Sequence, residues 1–290
     1  VEIHNGSSLF TGNAGGGESN LRRYIIENDM LEAIIAAPLN MFYNTGIGTF
    51  VWIVTNRKEE RRRGKVQLID ATNISAPLRK NLGSKNCEIT EEGRKEILKL
   101  LNDFQPTEQS KIFDNREFGY WQITVQRPLR LRVVTDVDWD AVLMKEAEKA
   151  TCKEAVENVP AGTPLDDWDS YAKQLKLKKT LAKKLRPFIT VTDPAAKAVE
   201  GEADPKLKDT EQVPLLYDGG IDAFMRNEVL PYAPDAYVDE EATVVGYELS
   251  FTKYFYKPVQ LRSVADIKTD IRNIEKSTDG LLEEILSDMC

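Results

Sequence analysis

The chain has 290 residues, 41% of them hydrophobic and 30% charged, with a net charge of −8. That balance gives a core large enough for one large or two smaller domains. No apolar run reaches the ~18 residues a membrane-crossing helix needs.

The cysteines, Cys87, Cys152 and Cys290, stand far apart, and His4 is the single histidine. This inventory makes neither a zinc site of ordinary spacing nor a disulfide framework, and it points to reducing cytoplasm. A nucleophile–histidine pair would have to use His4. The acidic total argues against a chain that coats nucleic acid, but a local basic surface is enough for DNA contact. The opening at Val1 carries no secretory pattern and reads as the start of a strand, so the chain is expected to be a piece excised from a longer protein.

Residues 1–71 read as strand, loop, helix, strand, loop, strand, turn, strand. Val1–His4 is extended, and the run Thr11–Gly17 is irregular. Ser19 is expected to cap a short helix with Leu21, Tyr24 and Ile25 on one side. Leu31–Ala36 is a buried strand closed by Pro38. Thr49–Thr55 is a β-branched and aromatic strand, with Lys65–Asp70 as its expected hairpin partner. The pattern is that of a mixed α/β sheet lacking its first half.

Further on, Thr90 is placed to cap a helix over Glu91–Phe104, and Tyr120–Val125 is extended. Residues 136–190 read as helical and charged, with seven basic residues and no acid between Ala172 and Arg186. Residues 192–212 are poor in apolar side chains and read as an exposed loop. A helix near Ile221–Val229 and an extended stretch over Val244–Tyr256 follow. Ser263 and Asp266 then resemble a capping box. Beyond them Val264, Ile267, Ile271, Ile274, Thr278, Leu281 and Ile285 repeat at coiled-coil spacing. That stripe either docks on a partner helix or lies on its own domain.

Three strings, in order, resemble the modification (M) subunits of type I restriction–modification systems. The first runs from Gly6-Ser7-Ser8-Leu9-Phe10-Thr11-Gly12 through Leu21-Arg22-Arg23-Tyr24 and Glu32-Ala33-Ile34-Ile35 to Phe42-Tyr43-Asn44-Thr45-Gly46-Ile47. The second joins Ile112-Phe113-Asp114-Asn115 to Ile123–Arg130. The third joins Asp209–Leu215 to Val229-Leu230-Pro231, Pro234-Asp235-Ala236 and Gly246–Phe251.

The resemblance implies methyl transfer from S-adenosylmethionine to the exocyclic amino group of adenine in double-stranded DNA, with the target base extruded from the stack. It also implies a specificity subunit, a motor/nuclease subunit and a second M subunit as partners. Members of this class hold the methyl donor on a glycine-rich turn and the adenine on an Asn/Asp-Pro-Pro-aromatic motif. No Pro-Pro dipeptide occurs in this chain. Gly15-Gly16-Gly17 lacks the strand that a nucleotide fingerprint needs directly before it. No catalytic, cofactor-binding or metal residue is therefore assigned. The chain alone is expected to be inactive and to bind no S-adenosylmethionine.

The fold implied is the second half of a Rossmann-like methyltransferase sheet, followed by a mixed, largely helical C-terminal region. Four segments are expected: 1–71, the later methyltransferase strands; 72–135, a mixed extension; 136–262, a helical and partly basic region; and 263–290, a terminal docking helix. Phe42, Tyr43 and Asn44 are the candidates for target-base contact, because an aromatic face replaces the neighbours an extruded base loses. Phe42 could instead be core, with Tyr43 the exposed ring.

Arg57, Arg61, Arg62 and Arg63, with Lys178, Lys179 and Lys183, are candidates for the DNA backbone; a solvated face is the alternative. Ile267, Ile271, Ile274 and Leu281 are the expected subunit interface. A rival reading makes the chain a DNA- or subunit-binding module without chemistry of its own.

Overall fold

The computed structural model describes residues 1–43, 45–258 and 262–287. They fall into two compact units, Val1–Ser250 and Phe251–Cys290. The first begins with β1 (Glu2–Asn5), a helical turn α1 (Ser7–Phe10), α2 (Gly17–Glu27), β2 (Leu31–Ala36), β3 (Thr49–Val54) and β4 (Lys65–Asp70). Next come β5 (Ala76–Leu82), β6 (Lys85–Glu88), α3 (Glu91–Asp103) and β7 (Ser110–Asp114).

The main sheet has the order β1-β3-β2-β4-β7. β2 and β4 form a parallel pair, with Ile34 opposite Leu68 and Ile35 opposite Ile69. Ile34, Ile35, Leu68 and Ile69 are all buried, each contributing about 1.5–3 kcal/mol over an exposed position. α3 lies on one face through Ile97, Leu100 and Leu101. As expected, Thr90 caps it, its Oγ1 accepting from Gly93 N at 3.1 Å.

Two expectations for this region fail. β3 and β4 are not a hairpin: β3 slots antiparallel between β1 and β2, and β4 pairs with β2 and β7. The connection between them is pinned by buried Lys58 and Arg62, so the chain crosses past β2 rather than folding straight back. Nor does Ser19 cap α2. Gly16 holds that position, and Ser19 is buried inside the helix, where its Oγ accepts from Tyr247 N at 3.0 Å.

Beyond the first sheet come β8 (Gly119–Gln126), β9 (Pro128–Val133), α4 (Glu146–Glu157), α5 (Trp168–Gln174), α6 (Lys179–Ile189), β10 (Thr190–Thr192), β11 (Ala198–Ala203), β12 (Asp209–Pro214), α7 (Gly220–Phe224) and β13 (Tyr237–Tyr247). They make two three-stranded sheets, β12-β8-β13 and β10-β9-β11. This region is therefore mixed, with helices α4, α5, α6 and α7 set among these strands. The segment 192–212 is not a loop, because β11 and β12 are outer strands that bury little beyond Val199 and Val213. A strand exposed on one face and one edge needs few apolar residues.

The boundaries expected at 71/72 and 135/136 do not divide sheets either: β7 joins the first sheet, and β8 pairs with β12 and β13. α4, α5 and α6 pack with β9 around Leu131, Cys152, Trp168, Leu185 and Ile189.

The second unit holds α8 (Phe251–Phe255) and α9 (Val264–Ser287), so the extended reading of Val244–Tyr256 stops at β13. Ser263 Oγ accepts from Asp266 N at 3.1 Å, the Ser263 half of the capping box expected from the sequence, and donates to the Asp266 carboxylate at 2.7 Å.

Candidate nucleic-acid and subunit contact sites

The loop 37–48 leaves the carboxyl end of β2, beside the carboxyl end of β4, and Ala71 N donates to Ala36 O at 3.0 Å between them. Ligands of open α/β sheets bind at such strand ends. Asn40 takes a left-handed φ of 55° there. Phe42 is half-buried and Tyr43 is 64% exposed, so both rings reach the surface to some degree. Asn44 lies outside the described residues. Phe42 and Tyr43 give this loop two aromatic side chains.

The basic turn 55–64 has a structural job that its sequence did not reveal. The last carbonyls of a helix have no intrahelical partner, and those of α3 are met by side chains from elsewhere. Gln67 Nε2 donates to Leu100 O at 2.8 Å, Arg62 donates to Leu101 O, and Arg61 donates to Asn102 O at 2.7 Å. Arg62 is 2% exposed, pairs with Glu32 at 3.3 Å and lies 4.4 Å from the Phe104 ring centroid. Its placement among phosphate contacts is therefore corrected: its donors are spent inside the protein.

Lys58 is bound into the same turn, donating to Asp29 Oδ1 at 2.5 Å. Gly64 N and Asn115 Nδ2 also donate to that carboxylate. Burial pushes Asp29 up, and the bonds from Lys58, Asn115 and Gly64 outweigh it to leave the group below its usual value. Arg61 and Arg63 remain largely exposed, paired with Glu59 and Glu60. Arg57 is exposed with no ion pair among the described residues.

On α6 the apolar stripe and the lysines separate cleanly. Ala182, Leu185 and Ile189 are buried. Lys178, Lys179 and Lys183 are exposed and unpaired among the described residues, whereas Lys184 meets Glu148 at 3.0 Å and Arg186 meets Glu202 at 2.7 Å. No acid occupies the first turn of α6, so the positive end of the helix dipole adds to the lysines.

Two arginines without a role in the sequence analysis find one here. Arg127 Nε donates to Asp235 Oδ1 at 2.7 Å, and Arg130 reaches Asp235 Oδ2 at 3.4 Å and Ala196 O at 2.8 Å. The second and third strings of the resemblance are thus joined through one carboxylate, which Arg127 holds below the usual carboxylate range.

Gly15-Gly16-Gly17 leads into the start of α2. It follows α1 and the bend after it, not a strand. A side chain at Gly12 would meet the Glu18 carboxylate at 2.8 Å, whereas one at Gly17 would meet nothing within 4 Å. Among the described residues, no group of three His, Cys, Asp or Glu side chains could hold a metal, and no helix is long and apolar enough to cross a membrane.

Along α9, Val264, Ile267, Ile271 and Ile274 are exposed, Ile271 to 58%. The Leu281 side chain lies outside the described residues. The helix bears this apolar stripe in an otherwise charged sequence, with a hydroxyl at Thr278 bonded back to Ile274 O at 3.0 Å.

Residues 3–119 match the family model described as N-6 DNA Methylase. The chain is 33% identical over 111 residues to the "Type I restriction enzyme MjaIX methylase subunit" of Methanocaldococcus jannaschii, covering 38% of this chain and 19% of that protein. It is 29% identical over 106 residues to the MjaVIII methylase subunit of the same organism, covering 36% and 18%. A crystal structure of the type I restriction-modification system methyltransferase subunit from Streptococcus thermophilus matches 40% of this chain and 23% of its own, with 22% identity and a TM-score of 0.34. The matched segment spans about a fifth of the length of these curated relatives. The two curated relatives are methylase subunits of type I restriction enzymes, the kind of protein that the sequence resembles.

Proposed function

We propose that this chain is part of the methyltransferase subunit of a type I restriction–modification complex, in which the whole subunit moves a methyl group from S-adenosylmethionine to the exocyclic amino group of adenine in duplex DNA. The observation that carries the reading lies inside the matched segment 3–119: a loop bearing Phe42 and Tyr43 at the carboxyl end of the parallel strands β2 and β4.

In this reading Phe42 or Tyr43 stacks on the extruded adenine, with Asn44 beside them. Arg57, Arg61 and Arg63 and the lysines Lys178, Lys179 and Lys183 meet phosphates. The stripe of Ile267, Ile271, Ile274 and Leu281 docks on helices of the specificity subunit, within an assembly that also holds a motor/nuclease subunit and a second M subunit. The complex works in the cytoplasm. The methyl donor is held by parts of the subunit outside these residues, so the chain alone is a DNA- and subunit-binding module without activity.

Two titrations of the chain test this. Calorimetry with S-adenosylmethionine is expected to show no binding, while labelled duplex DNA is expected to bind with strong salt dependence. Tight binding of the methyl donor, or no binding of DNA at low salt, would overturn the reading.

A further inference from the structure

β5 and β6 form a two-stranded ribbon that belongs to none of the larger sheets. The strands pair Ala76 with Glu88, Pro77 with Cys87 and Leu82 with Lys85. Gly83 and Ser84 turn the chain between them, Gly83 with a left-handed φ of 62°. A lone pair of strands is marginal in water and needs an outside support. Here the support is the aromatic loop itself: Asn86 N donates to Asn40 O at 3.1 Å, and the buried Cys87 thiol donates to Leu39 O at 3.1 Å. Ribbon and loop are thus held together by two bonds, one from the backbone and one from a side chain.

The ribbon's charge is predominantly positive. Arg79, Lys80 and Lys85 stand against the single acid Glu88. Arg79 and Lys80 are exposed and Lys85 half-buried, and none of the three has an ion pair or side-chain hydrogen bond among the described residues. The turn 55–64 differs in this respect, since most of its cations are answered by acids or helix carbonyls. Asn81, Ser84 and Asn86, all exposed, add neutral donors between the cations. In a chain of net charge −8, three cations without a partner among the described residues form a local anion-attracting surface.

The geometry points to this ribbon as a duplex-DNA contact: Arg79, Lys80 and Lys85 clamp phosphates beside the loop that carries Phe42 and Tyr43. A two-stranded ribbon fits the major groove of B-DNA, and phosphate contacts fix register and orientation. Duplex DNA is the occupant chosen because the ribbon is bonded to the base-contact loop, so the inference rests on the function proposed above. The clamp would hold the backbone near the target nucleotide while the base leaves the stack.

The test is fluorescence anisotropy of the full 290-residue chain with labelled duplexes of two unrelated sequences over a range of salt. The triple variant R79A/K80A/K85A is expected to weaken both duplexes alike, about tenfold or more at low salt, and to lower the slope of log K against log salt by about 0.9 per lost contact. The charge-preserving exchange R79K/K80R/K85R is expected to keep the slope, and both variants to melt with the parent, since Arg79 and Lys80 are exposed, Lys85 is only half-buried, and none of the three makes an ion pair or side-chain hydrogen bond among the described residues.

An unchanged slope in the alanine variant, with the parent still binding DNA, would overturn the ribbon and leave the wider DNA reading standing. A parent chain that binds no duplex would overturn both. If polyglutamate displaced the duplex at equal charge, the ribbon would be a general polyanion surface and the duplex assignment wrong.

Discussion

The guanidinium of Arg22 donates from Nε to the carbonyl oxygen of Tyr247 at 2.7 Å, joining residues 225 apart in the chain. The same side chain donates to Ser8 O at 3.1 Å and Thr11 O at 2.7 Å. Arg22 is 3% exposed, and burial lowers its pKa. The Tyr247 hydroxyl is itself pushed up to about 12 by burial and by Glu27 beside it. Helix α2 of the matched segment is thereby tied to β13, the third string of the resemblance to the first.

Replacing Arg22 by Met keeps most of the buried stem but orphans three carbonyls. We expect a loss of about 2–4 kcal/mol, on the order of a helix cap plus further unmade bonds. Chemical denaturation of the parent and the variant measures it, and a loss under about 0.5 kcal/mol, the level of a surface change, would show that water replaces the three bonds.

Acid sensitivity has one clear source in α5. Asp167 caps that helix, accepting from Ser170 N at 3.0 Å and from Lys197 Nζ at 2.8 Å. Those bonds, Lys197 first, bring its pKa from 3.8 to about 2. A folded value below the unfolded one stabilises the protein above the unfolded pKa and stops doing so as pH falls through the folded one. The stability difference between the parent and Asp167→Asn should therefore be constant at neutral pH and shrink between about pH 4 and 2. Melting curves across that window check it; a difference that stays flat to pH 2 would mean the carboxylate gains nothing from its partners.

The proposed stacking by the aromatic loop is tested in the full-length subunit. Removing a ring that stacks on an extruded base costs about 1–3 kcal/mol, so Phe42→Ala or Tyr43→Ala should lower methylation about 5- to 150-fold. A fluorescent adenine analogue at the target position should lose its flipping signal in the variant that removes the stacking ring, while overall DNA affinity falls far less. If both variants flip the base and methylate like the parent, stacking by this loop is wrong.

For α9, charge on the exposed stripe should block docking. Ile271→Asp and Ile274→Asp together are expected to abolish co-purification with the specificity subunit, because burying an unpaired carboxylate in an apolar seam is costly. Undiminished co-purification would assign the docking surface elsewhere.

What the sequence made legible follows from how local each signal is. Thr90 announced its helix because a cap and its target lie three residues apart. Tyr120–Val125 read as extended because both faces carry β-branched or aromatic side chains, and it became β8. β11 and β12 were hidden because outer strands need few apolar residues. The order β1-β3-β2 was hidden because adjacency in the chain favours a hairpin, and the pairing that won depends on contacts far away. The β5–β6 ribbon did carry a signal, the two-residue Gly83-Ser84 turn between alternating strands. On the site side, Phe42 and Tyr43 stood in a loop at a strand end as read, but a list of arginines could not say which one is consumed as a helix cap.

That last distinction can be measured within the turn itself. Arg62 is buried against Glu32, Gln67 and Leu101 O, so Arg62→Ala removes a C-terminal cap, an ion pair and its packing on Phe104. A loss of about 2–4 kcal/mol is expected, because Glu32 and the α3 carbonyls keep their burial without a partner. Arg57→Ala and Arg63→Ala remove exposed side chains and should change stability by less than about 0.5 kcal/mol, while each lowers the salt slope of DNA binding by about one. Stability and salt slope therefore separate the structural arginine from the two proposed phosphate contacts. If Arg62→Ala kept the parent's stability but weakened DNA binding as strongly as the other two, phosphate contact would be its role after all.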